Sequence, residues 1–336
     1  MSKLLSKIKI GRNTFKNRVV MAPMCMFHNK TKNGVLTNEH YDHYVARALG
    51  GVAGIIVEAT MVNEKGGIRK LDLGLYNDEQ MHAFSKLTKR VHEYNTVIGI
   101  QISHAGIKAD KDYDDIIGPS VLENRNRELS ISEIEKLISE YTNSAVLAKK
   151  AGFDFVEIHG AHGYLVSQFL SPLTNKRNDI YGGSLEKRYK FLGDIIKEIK
   201  KNVDIDIHVR ISADEYSENG NSLDDIIQIL KWAKEDGVVF NNISSGGIVT
   251  GGAPEEVYSG YQAKLSRNIK RNDLKCSAVG LLTDYGLCEY LLQSDACDLI
   301  YEGRALLRNP NFVYGAAIYF NETDKIEYPL SSYGRI

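Results

Sequence analysis

"SEIEKLISEYTNSAVLAKKAGFDFVEIHG", residues 132–160, holds one complete structural unit. Its first part is amphipathic and of helical length, opens at a capping-type serine, Ser132, followed by acids, and closes at Gly152. Its second part, "FVEIHG" (155–160), is almost continuously apolar until its last residues. That pattern marks a parallel strand buried on both faces. Runs of the same kind recur along the chain. They are "VVMAPMC" (19–25), "GIIVEAT" (54–60), "VIGIQIS" (97–103), "DIHVRIS" (206–212), "VVFNNISS" (238–245), "CSAVGLL" (276–282) and "DLIYEGR" (298–304). Helix-length stretches lie between them, among them "DEQMHAFSKLTKRVHEY", "SLEKRYKFLGDIIKEIKK" and "SLDDIIQILKWAKEDG". Eight strands, each followed by a helical segment, count out an α/β fold of the (β/α)8 TIM-barrel type. Such a barrel needs about 250 residues. The surplus falls in the termini and in loops 61–77, 104–130 and 161–183. A doubly wound sheet is the rival, but no G-x-G-x-x-G stands between a strand and a helix, and "SSGGIVTGG" (244–252) is not so spaced. With no linker or low-complexity stretch, residues 1–336 read as a single domain.

The totals exclude several classes of function. The chain has 336 residues, 43% hydrophobic and 25% charged, with a net charge of -1. That composition is ordinary for a globular protein and carries no electrostatic footprint for nucleic acid. "MSKLLSKIKIGR" lacks the apolar centre of a signal peptide, and no apolar run approaches a membrane span. Cys25, Cys276, Cys288 and Cys297 lack CxxC spacing and sit in apolar segments, as reduced thiols do. The expected location is the cytoplasm, with no nucleic acid, membrane or metal as partner.

In a barrel of this kind the active site lies at the carboxyl ends of the strands. In order, those ends carry Cys25, Glu58-Ala59-Thr60, Gln101, His159, Arg210, Ser244-Ser245-Gly246, Gly280 and Gly303-Arg304. An arginine inside "HVRIS" is rarely buried without an anion. Either Arg210 pairs with Glu157 or Glu58, or it faces a negatively charged ligand. The glycines at the ends of strands six to eight allow close backbone approach, and Arg304 adds a charge, so a phosphate fits there. "HGAHGY" offers His159 and His162 with Tyr164 beside them. The pair reads as a metal site without an evident third ligand, as a solvated loop, or as two neutral donors to a substrate oxygen with Tyr164 as acid. Cys25 by itself reads as a small buried hydrophobe.

"PMCMF", "HGAHGYLVSQFLSPLTNKRNDIYGGSLEKRYKF", "HVRIS", "SSGG" and "GRALLRNP" resemble the Old Yellow Enzyme family of NADH:flavin oxidoreductases, nearly end to end. The cysteine-bearing first strand and the length resemble its thermophilic-like bacterial subgroup, whose members are often named NADPH dehydrogenase. The resemblance implies FMN held non-covalently across the barrel mouth and reduced by NADPH or NADH. It implies an ene-reductase, in which hydride passes from the flavin N5 to the β-carbon of an activated alkene. His159 and His162 would then hold the activating oxygen, and Tyr164 would protonate the α-carbon. Gln101 would meet the pyrimidine edge, Arg210 the N1 and C2 oxygen, and Cys25 the ring system. Pro23, Met24 and Ala59 would pack or bond around the ring. Ser245, Gly246, Gly280, Gly303 and Arg304 would hold the phosphate.

The chain departs from the subgroup at two positions. Phe27 stands where a substrate-binding tyrosine is usual, and Ile107 where an arginine is usual, so a more apolar substrate pocket is expected. Arg335 in "YGRI" matches an arginine that reaches a partner subunit's active site, which implies a homodimer or homotetramer with a shared Arg335. Expected substrates are enones, enals, maleimides, quinones and nitro compounds. The alternatives are a flavin-binding redox sensor without efficient turnover and a metal-dependent barrel hydrolase or lyase.

Overall fold

The computed structural model describes residues 2–122, 125–248 and 252–326. Eight parallel strands close into a barrel: β1 Val19–Met21, β2 Gly54–Met61, β3 Val97–Ser103, β4 Phe155–Gly160, β5 Asp206–Ser212, β6 Val238–Ser244, β7 Cys276–Ala278 and β8 Leu299–Glu302. Each pairs with its neighbours in sequence, and β8 returns to β1 with Ile300 opposite Val19. The ring is therefore the (β/α)8 architecture that the alternation predicts. β2, β4 and β5 are buried at every position, with helices outside and packed side chains within, as continuously apolar runs require.

Several boundaries differ from the sequence reading. β1 stops at Met21, β7 at Ala278 and β8 at Glu302, so Cys25, Gly280 and Gly303 lie in the loops beyond. The helix before β4 spans Ile131–Lys150 and is capped by Ser130, not Ser132. Ser130 Oγ accepts from the Glu133 N–H, and the Glu133 carboxylate accepts from the Ser130 N–H, a reciprocal box that satisfies two orphan donors. The long loops carry structure of their own. Leu73–Gly74 adds to β2, Ile117–Gly118 pairs with Arg127–Glu128, and Leu165–Leu170 is helical.

The barrel interior near its amino-terminal end is filled by Phe15, Ile56, Phe155, Phe240, Leu299 and Tyr301. The His208 ring stacks on Phe155 at 4.0 Å, and burial pushes its pKa down to about 3. Gly99 is required here, since a Cβ on it would sit 2.2 Å from the Phe155 ring. A short hairpin, Ile8–Ile10 with Asn13–Phe15, closes this end. Arg12 N–H and Asn13 Nδ2 both donate to Asp206 at the start of β5, at 2.7 and 3.1 Å. Outside the ring, helices such as Leu185–Asn202 bury one face, here Phe191, Leu192, Ile195, Ile196 and Ile199. Each such side chain contributes about 1.5–3 kcal/mol. With both faces of the strands thus occupied, the open end left for chemistry is the carboxyl end. Among the described residues no helix is long and apolar enough to cross a membrane.

Candidate active site

His159 is the penultimate residue of β4, and the chain turns sharply after it. His162 and Gly163 are both left-handed, with φ of 59° and 73°, before Tyr164 caps the helix Leu165–Leu170. That turn folds three rings onto one another. The His159 and His162 rings are 5.3 Å apart, and Tyr164 lies 4.8 Å from His159. The Ala161 N–H points at His159 Nδ1 (3.3 Å), so the imidazole carries its proton on Nε2. His162 is held twice, by its N–H donating to Ser212 Oγ (2.9 Å) and by Nε2 against Ser244 Oγ (2.7 Å).

Burial holds both imidazoles well below the ordinary histidine range, and the Arg210 and Lys108 charges press the same way. At neutral pH they are therefore neutral N–H donors. Burial pushes the Tyr164 phenol up to about 12, so it keeps its proton. A cavity of about 750 Å³ opens beside these rings, lined in part by Ile68, Ile107, Lys108, Gly163, Tyr164 and Gln168.

Arg210 is buried in β5, and its Nε has no hydrogen-bond partner among the described residues. Of the two ion pairs considered from sequence, neither forms. Glu157 is its strongest charge neighbour, yet the Glu157 oxygens accept from Gln101 Nε2 (2.7 Å) and Asn242 Nδ2 (3.0 Å). Glu58 is engaged elsewhere, accepting from the Met26 N–H (2.6 Å) and the Tyr44 hydroxyl (3.2 Å). Arg210 is thus a buried cation beside the barrel axis with donor capacity to spare.

The remaining predicted residues ring the same mouth. Cys25 is half-buried, and burial, then Glu58 and Asp72, push its thiol up, so it remains S–H. Pro23 and Ala59 are buried beside it. Met24 meets the loop after β8, where a Cβ on Gly303 would sit 3.3 Å from its sulfur. Gly246 and Gly280 are left-handed, Tyr216 donates to Ser245 Oγ (2.8 Å), and Arg304 is exposed at the start of a short helix. Phe27 is left-handed too, and the Arg69 guanidinium lies 4.5 Å over its ring. Ile107, the other departure from the subgroup, lines the cavity. Arg335 lies outside the described residues.

Three neighbours escaped the sequence reading. Asp72 and Arg69 come from loop 61–77, and Lys108 from the turn after β3. None sits in a periodic pattern that would single it out. Among the described residues no three or more His, Cys, Asp or Glu side chains are grouped to hold a metal.

The family model described as the NADH:flavin oxidoreductase / NADH oxidase family matches residues 3–319. The chain belongs to this family. It is 44% identical over 329 residues to the NADPH dehydrogenase of Listeria monocytogenes serotype 4b (strain CLIP80459), covering 96% of each chain. It is likewise 44% identical to the NADPH dehydrogenase of Bacillus subtilis (strain 168), covering 95% of each. Among solved structures, it matches a 2-naphthoyl-CoA reductase bound to 2-naphthoyl-CoA with a TM-score of 0.89 and 25% identity, covering 96% of this chain and 53% of that one. A morphinone reductase in complex with tetrahydroNAD shares the fold, with a TM-score of 0.79, 23% identity and coverage of 94% and 92%. This NADH:flavin oxidoreductase is an enzyme that uses FMN and draws its electrons from NADPH or NADH.

Proposed function

We propose that this oxidoreductase reduces activated C=C bonds of α,β-unsaturated carbonyl, quinone or nitro compounds at FMN lying across the barrel mouth. The observation that carries the reading is the convergence of two neutral imidazoles and one protonated phenol within about one ring diameter, beside an open cavity. The residues present fit the flavin. The orphaned Nε of buried Arg210 suits its electron-rich pyrimidine edge, with Gln101 alongside. Pro23, Met24, Cys25 and Ala59 would border the ring, and Ser245, Gly246, Gly280, Gly303 and Arg304 would surround the phosphate. FMN, when bound and reduced, supplies the hydride to the β-carbon of the alkene.

The protein's own work is on the oxygen and the proton. His159, through Nε2–H, and His162, through Nδ1–H with its Nε2 accepting from the Ser244 hydroxyl, donate to the substrate oxygen on which enolate charge grows. Neutral donors aimed at developing charge stabilise the transition state more than the ground state. Tyr164 transfers its phenolic proton to the α-carbon and regains one from water. Its high pKa keeps the acid loaded at neutral pH. Phe27 would face the substrate from the opposite wall. We further propose a cytoplasmic enzyme and, from the resemblance of "YGRI" to the subgroup's carboxyl end, a homodimer or homotetramer in which Arg335 completes a neighbouring site.

An anaerobic titration tests the function. NADPH should bleach the flavin absorbance, and a small enone such as cyclohexenone should restore it stoichiometrically. Bleaching without recovery by enones, maleimides, quinones or nitroalkenes would leave a redox sensor, not an ene-reductase.

A further inference from the structure

Lys108 ends the 3-10 turn Gly106–Lys108 that follows β3. Its Nζ donates to the carbonyl oxygens of His162 (2.9 Å) and Gly247 (2.6 Å), one from the loop after β4 and one from the loop after β6. It forms no ion pair among the described residues. Two carbonyls pointed at one spot repel unless a cation stands between them, and an ammonium offers donors to both. We propose that Lys108 is a positioning residue for the reaction, a cationic clasp that joins these two loops and so fixes His162 and Tyr164. The proposal rests on the reading of the imidazole pair given above.

The backbone around the clasp explains why one is needed. His162 is left-handed at φ 59°, a conformation that L side chains leave unless held. The two loops touch through their main chains. A Cβ on Gly247 would lie 2.6 Å from His162 Cα, and one on Gly163 would lie 2.3 Å from Gly247 O. Ser212 ties the loops from below, accepting from the His162 N–H and donating to Gly246 O (2.8 Å), and the Lys108 ammonium adds the one side-chain cation that binds the carbonyls of both His162 and Gly247.

The base of the clasp is itself rigid. Gln168 accepts from the Ile107 N–H (3.2 Å) and donates to Ala105 O (3.1 Å) and Gly163 O (2.6 Å). Lys108 is thereby anchored to the helix that begins after Tyr164, and its Nζ stands 5.7 Å from the centre of the Tyr164 ring. Its charge also helps to keep both imidazoles neutral.

The test compares Lys108→Met and Lys108→Arg holoenzymes with the unaltered enzyme and with a His159→Ala/His162→Ala control. The probe is 4-hydroxybenzaldehyde, whose phenolate oxygen stands in for the enolate, followed by the long-wavelength band it gives on oxidised FMN. Lys108→Met should retain FMN and its thermal transition yet bind the probe about tenfold more weakly, the loss expected for a charge-assisted tie. Lys108→Arg, which keeps the charge and two donors, should recover most of that loss. A change below threefold in Lys108→Met would overturn the clasp, as would loss of FMN or of the folding transition, which would make Lys108 a general structural residue. If the control still binds the probe as tightly as the unaltered enzyme, the imidazole reading fails and the clasp with it. If the control loses the probe while Lys108→Met keeps it, only the clasp falls.

Discussion

The two ends of the barrel make left-handed turns from different residues. At the amino-terminal end, six of the turns that enter strands carry Gly51, Asn95, Gly152, Gly237, Asp273 or Asp295 in that conformation. These are the residue types that adopt it at little cost. At the mouth, the loops leaving the strands place Phe27, His162, Tyr216 and Leu281 there instead, among the glycines at 106, 163, 246, 247 and 280. A bulky left-handed residue costs on the order of 1–3 kcal/mol. One end is filled with packed rings and aliphatic side chains. The other holds strained backbone, polar rings and a buried cation whose Nε has no partner among the described residues. Folding stability should therefore respond to the first end and ligand chemistry to the second.

Four substitutions test that division, beginning with the largest effect. Tyr164→Phe should slow enone reduction by about 10²–10⁴-fold, the usual loss for a positioned acid. Flavin content and flavin reduction by NADPH should be unchanged, as stopped-flow traces of the two half-reactions would reveal. Equal slowing of both halves would mean that the phenol serves the flavin and not the substrate. At the opposite end, Phe155→Ala should lower unfolding free energy by about 3–5 kcal/mol while leaving the flavin spectrum native. Loss of flavin without loss of stability in that variant would erase the division.

His208 sharpens it further. Both of its ring nitrogens lack partners among the described residues, and the ring is neutral with a pKa of about 3. Unfolding frees it to protonate near its ordinary value of 6.5. The folded state binds fewer protons, so this group erodes stability as pH falls below about 6.5, by about 2 kcal/mol at pH 5. His208→Leu should flatten the fall in melting temperature between pH 7 and pH 5. A slope as steep as in the unaltered protein would assign acid sensitivity to other buried histidines, such as His40 and His104, each pushed down to about 4. Leu281→Gly is the mildest change. Relief of left-handed strain offsets the lost side chain, leaving apoprotein stability within about 1 kcal/mol. The looser phosphate loop should nevertheless raise the FMN dissociation constant severalfold, measured by fluorescence on titrating flavin into apoprotein.

The same division explains what could be read from residues alone. Strands buried on both faces advertise themselves as apolar runs, so all eight were legible; Gln101, His159 and Arg210 fall near the carboxyl ends of theirs, and Cys25 in the loop past β1. Short pieces were not: the three-residue strands of the amino-terminal hairpin are too brief for periodicity. The reading that opened the helix at Ser132 overlooked Ser130, which is likewise followed three residues later by a glutamate, Glu133. Ser130 has the extended backbone and the reciprocal hydrogen bonds with Glu133 that begin the helix. Lys108 gave no signal, because the carbonyls it binds lie 54 and 139 residues further along the chain. The cation over Phe27 was hidden for the same reason.

The closing seam of the barrel has a consequence for synthesis. β1 must wait for β8, and the backbone N–H of Leu4 for the Glu289 carboxylate (2.8 Å). A ribosome adding about 5–20 residues per second leaves the first strand unpartnered on its far side for roughly a quarter of a minute to a minute. Throughout that interval Val19, Val20 and Met21, all buried in the finished protein, present one bare edge to the crowded cell. The nascent chain is therefore most open to chaperones, and to mispairing with its neighbours, along an edge that the mature enzyme no longer possesses.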